Sequence, residues 1–396
     1  MRGEKNSPSI LGGALLISGT TIGGAVLALP TVIGSAGWLP SLAAFLFCAA
    51  IMWIASLYFL EVNLWMKNPQ TNILEMAGAT LGLFGKVLAW TAYLSLLYCL
   101  NAAYLSGLFS LCDQVIPLSS LGSRIGINLF FLASLSLLLG SGKGVIDSLN
   151  RLLMVGLFLS FFSLLTGLLP FISWPRYRTA NWSLFLPSLP IVIVSFGFQI
   201  IIPSLVPYLD RQLVTIKRSL LIGLSLPLLL YLAWQAAILG VIPLQGPHSL
   251  QMIRLEEQPV TYILEQITGR QWIHYVASLF SFFTIATSLL GVSLSLFDFL
   301  SNALSLSKSN FSFLTLFTLT LLPPFLCVNF SPKIFITALE YGSIFVSLLL
   351  IFMPAAMTLS GRYVQKREAK YRVWGGIFLP FLMIGFSLFL IYSKLK

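Results

Sequence analysis

The chain has 396 residues, 57% hydrophobic and only 9% charged, with a formal net charge of +11. Soluble domains carry about 25% charged residues, so the composition excludes a water-soluble protein. The positive balance comes without a basic segment interleaved with aromatic residues. It therefore points to anionic lipid headgroups as the partner surface and away from nucleic acid.

In chain order, stretches of about 20 mainly apolar residues, enough to cross a bilayer, recur at 9–36, 39–65, 84–113, 124–140, 148–170, 186–208, 218–242, 273–299, 312–328, 334–359 and 374–392. The predicted fold class is an all-α polytopic membrane protein with eleven transmembrane helices in a single domain, 1–396. The polar N-terminus, Met1 to Pro8, lacks a small-residue cleavage site and is expected to be retained. The longest connection, Pro243 to Trp272, carries Arg254, Glu256, Glu257, Glu265 and Arg270 and is expected to form short surface helices. With the N-terminus cytoplasmic, most Lys and Arg fall on that side: Arg2, Lys5, Lys67, Lys86, Lys143, Arg151, Arg211, Lys217, Arg218, Lys308 and the cluster Arg362, Lys366, Arg367, Lys370 and Arg372. The positive-inside rule favours this orientation, and eleven spans then leave the C-terminus outside.

The first span is interrupted by Gly19-Thr20-Thr21-Ile22-Gly23-Gly24 and closes on Pro30. Non-helical backbone at membrane depth is tolerated only inside protein or beside a water-filled cavity. The sixth span is interrupted in the same manner, at Ser195-Phe196-Gly197-Phe198-Gln199 before Pro203. Glycine and proline are common in membrane helices, but a matched pair of breaks is the signature of a transporter built from two repeats. The repeats are placed at about 9–170 and 186–359, with an extra helix at about 374–392. A helix resuming in mid-membrane presents amide groups to an anion, which suits Gly23 and Gly24. Carbonyls near Gly19 and Ile22 suit a cation, with Thr20 and Thr21 as added hydroxyls or as residues that bond back to their own helix.

Elsewhere, Thr284, Thr287 and Ser288 share one face of the eighth span and form a candidate cation site; small residues at this spacing also serve close helix packing. Tyr98, Asn101 and Tyr104 lie within one arc of the third span and are candidate pocket residues. Glu340, inside the tenth span, is the candidate gate or proton-linked acid, with a salt bridge as the plainer role. Glu61 and Asp298 are expected at the interface. His248 and His274 fall in or beside the long external connection. Cys48, Cys99, Cys112 and Cys327 have no metal-like spacing. No cofactor or metal is expected, apart from sodium as an alternative coupling ion.

The segments GTTIGGAVLALP, YCLNAAYLSG, SFGFQIIIPSL and TSLLGVSLSLFDF together resemble the bacterial hydroxy/aromatic amino acid permeases, over all eleven spans. That resemblance implies a five-plus-five inverted repeat of the leucine-transporter-like kind, shared with amino acid, polyamine and organocation transporters. It also implies proton-driven uptake of tyrosine or tryptophan across the inner membrane. The chain has Gln199 where such permeases often carry histidine, and glutamine does not titrate. The Thr287-Ser288 pair matches the cation position of sodium-coupled relatives of this fold. The expected mechanism is alternating access by a monomer about a pocket between the first, third, sixth and eighth spans. The carboxylate of an aromatic L-amino acid would meet Thr21, Gly23 and Gly24, and its ammonium the carbonyls of Ser195 and Phe196. The ring would lie among Phe196, Phe198, Tyr98, Tyr104 and Asn101, with Asn101 or Gln199 satisfying its polar atom. A membrane-embedded transferase is the alternative class, and it lacks the His, Asp or Cys cluster it would need.

Overall fold

A computed structural model describes residues 9–68, 71–115, 121–141, 143–256, 260–304, 310–331, 333–368 and 371–395. Arg2, Lys5, Glu257, Lys308 and Lys370, counted above, lie outside them. The described residues form helices joined by turns and short irregular connections, with no strand and one isolated bridge between Gly37 and Ala180. Eight helices are long and apolar enough to cross a membrane, or nine with the bent pair at the N-terminus; shorter apolar helices occupy Leu129–Gly140 and Leu314–Phe330.

The first expected span is two helices, α1 (Ile10–Thr21) and α2 (Ala25–Ile33), bent by 63°. Next come α3 (Trp38–Leu64) and α4 (Ile73–Val115). The third span was expected from residue 84, but helix begins eleven positions earlier, and Gly82 (φ 71°) turns the chain between an approach segment and the apolar rod. Then follow α5 (Leu121–Gly140) and α6 (Lys143–Leu168). The sixth expected span splits into α7 (Phe185–Val194) and α8 (Ile202–Tyr208), and α9 (Leu213–Val241) follows. The long connection forms α10 (Leu250–Glu256) and α11 (Leu264–Thr268), the short surface helices expected of it. Three helices succeed it: α12 (Gln271–Leu304), α13 (Asn310–Phe330) and α14 (Phe335–Val346). The tenth span continues through a π-helical stretch at Ser347–Phe352, α15 (Met353–Leu359) and a second π-helical stretch at Ser360–Val364, and α16 (Phe378–Leu395) closes the chain.

Two packed groups frame the centre. In one, α9 lies along α1 and α3, while α7 packs on α2 and α3; in the other, α12 packs on α4, α6 and α13. Helix α14 touches both α4 and α7. Small residues permit the close approach, as usual where lipid replaces water. Gly223 on α9 has no room for a Cβ beside Ile17, and its carbonyl accepts a 2.9 Å hydrogen bond from Ser18 Oγ. Helix α1 is thereby bolted to α9.

Glu61, expected at the interface, lies near the end of α3 and is also enclosed by protein. It is fully buried, because Arg362 at the far end of the tenth span reaches it with Nε at 2.7 Å and Nη2 at 2.5 Å. The Val373 amide also donates to it at 2.7 Å. A bidentate arginine with added donors is what a buried carboxylate needs to offset its desolvation.

Candidate functional site: the two helix breaks

Helix α1 stops where Ile22 becomes extended (φ −74°, ψ 107°), and α2 restarts at Ala25 without a side-chain cap. Its first amides need partners. The Gly24 N–H donates to Ser288 Oγ at 2.7 Å, and Ser288 Oγ itself donates to the Thr284 carbonyl at 2.9 Å. The Gly23 amide meets no acceptor among the described residues, and Gly23 and Ala25 border a cavity. A Cβ at Gly24 would overlap the Tyr104 ring, whereas one at Gly23 would come to 3.0 Å from Ser288 Oγ. Only glycine at position 24 lets Tyr104 close on the backbone.

The second break mirrors the first. Helix α7 ends at Val194, the chain turns through Ser195 to Phe198, and Pro203 opens α8, where its missing N–H costs nothing. Gln199 secures this turn: its Oε1 accepts from the Phe198 amide at 3.0 Å and its Nε2 donates to the Met52 carbonyl on α3 at 3.0 Å.

One residue ties the breaks together. The Tyr231 hydroxyl, fully buried on α9, lies 2.7 Å from the Thr21 carbonyl oxygen and 3.0 Å from that of Ser195. Both oxygens stand at a break, and one phenolic O–H serves both.

Between the breaks lies a cavity of about 500 Å³. It brings together Gly19, Thr20, Thr21, Ile22, Gly23, Tyr104, Phe198, Thr287 and Ser288 of the sequence-predicted set. It opens beside Gly19, Thr20, Ile200 and Ser204, which line it and are exposed. The other direction is shut. Every residue of α2 is buried, and Trp234, Phe280 and Phe161 form an aromatic cluster with centroids 5.1 to 6.2 Å apart.

Other predicted residues fall elsewhere. Asn101 is fully buried, donating to the Leu97 carbonyl at 3.0 Å and accepting from Ser293 Oγ at 2.6 Å. Tyr98 turns to α13, its hydroxyl donating to the Leu319 carbonyl at 2.7 Å. Ser195 and Phe196 face Tyr231, the Phe196 ring at 5.3 Å. Thr284 donates to the Phe280 carbonyl at 2.6 Å, and Thr20 and Thr21 bond back to Ile17 at 2.8 and 2.7 Å. Glu340, away from the cavity, pairs with Lys394 at 2.9 Å. Gly24, Gln199 and Asn101 thus support the cavity's walls from behind.

Sequence reasoning missed Tyr231 and several lining residues, notably Tyr93 on α4, Asn150 and Met154 on α6, Ser204 on α8 and Leu350 in the first π-helical stretch. Asn150 is a polar group on the wall that α6 contributes.

Apolar helices enclosing two interrupted ones around a common cavity define an integral membrane protein of the transporter kind. The chain belongs to the tryptophan/tyrosine permease family, which it matches over residues 6–394. It is similar to the tyrosine-specific transport system 2 of Haemophilus influenzae, 29% identical over 96% of this chain and 95% of that one. It is also similar to the tryptophan-specific transport protein of the same organism, 28% identical over 99% and 97%. The glutamine transporter 2 of Aliivibrio fischeri is 24% identical over 98% and 99%. These relatives are transporters, not enzymes.

Proposed function

We propose that the protein is a secondary active symporter that imports aromatic amino acids, tyrosine or tryptophan, by alternating access, driven by a proton gradient. It works as a monomer in a bacterial inner membrane, with eleven crossings, a five-plus-five inverted repeat, the N-terminus cytoplasmic and the C-terminus outside. The single observation that carries this is the cavity bordered by both breaks, on a chain whose full-length relatives are named for tyrosine and tryptophan. In this topology the mouth beside Gly19 and Ser204 faces the cytoplasm, so the conformation is inward-facing.

The substrate carboxylate meets the Gly23 amide, at the positive end of α2. Its ammonium meets the carbonyl ends of α1 and α7, both negative dipole ends, at the oxygens that Tyr231 leaves open. The ring lies against Phe198 and Met154, and Asn150 serves the phenol or indole polar atom.

Sodium is the second candidate for the coupling ion. Thr287 and Ser288 border the cavity, and its described lining contains no Asp, Glu or His. Hydroxyl and carbonyl oxygens suit a small hard cation, and a proton relay needs a titratable group. Uptake of labelled tyrosine and tryptophan into proteoliposomes, with proton and sodium gradients imposed separately, tests both. Accumulation under the proton gradient alone is expected; accumulation under sodium alone selects the second candidate, and accumulation under neither defeats the symporter assignment.

A further inference from the structure

The inner end of α2 borders the central cavity, and its outer end meets another, larger one of about 1010 Å³. Ser35 and Ala36 form the floor there, with Arg176 to Leu184 on one side and Pro243 to Leu255 on the other. Helix α2 has nine residues, so at about 1.5 Å per residue the two cavities stand about 14 Å apart along it.

Two arginines line this vestibule. Arg176 is held in place by Nη1, which donates to the carbonyls of Gly240 at 2.7 Å and Val241 at 2.5 Å. These are the last carbonyls of α9, a helix end that favours a cation. Both bonds use one nitrogen, leaving Nε and Nη2. Among the described residues Arg254 makes one long contact, Nη1 to the Val32 carbonyl at 3.4 Å. Among the described residues no carboxylate pairs with either side chain. Guanidinium groups present N–H donors in a fork that matches a carboxylate, and here two such forks line a hollow that also holds Leu184, Leu244 and Leu255.

We propose that this vestibule is an external capture site for the amino acid substrate: Arg176 and Arg254 take its carboxylate and the leucines its aromatic side chain before α2 moves. This assignment rests on the aromatic amino acid reading above.

Arg176→Gln, Arg254→Gln and the double variant test it in right-side-out and inside-out membrane vesicles. In the right-side-out vesicles at low salt, the concentration giving half-maximal uptake is expected to rise about twofold to fivefold per arginine, the range for a partly exposed ion pair. The maximal rate stays as in the wild type. Half-saturation from the inner face is also unchanged, and added salt narrows the difference because exposed charges are screened. An unchanged external half-saturation, or equal shifts on both faces, overturns the proposal. Reconstitution in zwitterionic phosphatidylcholine separates the substrate from an anionic lipid headgroup. An arginine effect that vanishes there and returns with phosphatidylglycerol means that a headgroup is bound, and the proposal fails. Wild-type vesicles that take up no aromatic amino acid overturn the functional reading and this site with it.

Discussion

The Gly24 amide and the Ser288 hydroxyl lie 2.7 Å apart, which fastens the first helix break to α12 in the opposite packed group. This bond and the Tyr104 ring beside it fix how closely α2 approaches α4 and α12, and hence the shape of the cavity. A methyl at Gly24 must displace the ring or the helix. Overpacking of this kind costs about 1 to 3 kcal/mol, which corresponds to about tenfold or more if it falls on the transport cycle. Uptake by Gly24→Ala is therefore expected to fall by about that factor, with Gly23→Ala milder because only Ser288 Oγ must yield. Equal uptake by the two variants would show that the Tyr104 contact has no bearing on the site.

Tyr231→Phe keeps the ring beside Phe196 and removes the one donor shared by the Thr21 and Ser195 carbonyls. A buried acceptor left unpaired costs about 1 to 3 kcal/mol. The purified variant should melt at a lower temperature and transport about tenfold more slowly. Wild-type melting and rate would mean that the hydroxyl does not hold the breaks together.

Asn150 borders the cavity and Asn101 does not. Replacing Asn150 by Ala should change the ratio of tyrosine to phenylalanine uptake, since these substrates differ only in the phenol oxygen. Asn101→Ala should lower stability through the lost bond to Ser293 and leave that ratio as in the wild type. The opposite pattern in competition uptake would return Asn101 to the substrate.

Both breaks were legible because glycine and proline in an apolar run leave backbone groups that only a special environment can satisfy. Ser288 was legible as a hydroxyl on a small-residue face and Gly24 as a break residue, but the bond between them was not. Asn101 and Gln199 misled for a physical reason. A polar side chain in an apolar helix announces that it needs a partner, and in both cases the partners are protein groups. Tyr231 sits in an ordinary apolar run, and its acceptors lie 210 and 36 positions away, so no local pattern marks it. The π-helical stretch that brings Leu350 to the cavity likewise has neither glycine nor proline to announce it.

Glu61 and Arg362 join the ends of the second and tenth spans, and both are buried. Removing one member of a buried pair leaves an uncompensated charge and costs about 3 to 5 kcal/mol. Glu61→Ala and Arg362→Ala should each sharply reduce the folded yield in detergent. The double variant should lose less than the two single losses combined, and a strictly additive double-mutant cycle would show that the pair is not coupled.

Thr20 lines the cavity at its open side, and a thiol there reports directly on the account's central claim, that an aromatic amino acid occupies the space between the breaks. With Cys48, Cys99, Cys112 and Cys327 replaced, a Thr20→Cys protein should react with a membrane-impermeant maleimide in inside-out vesicles. Tyrosine or tryptophan should slow that reaction, and glycine should not. Labelling from the outer face alone, or labelling that neither aromatic amino acid slows, would contradict the account.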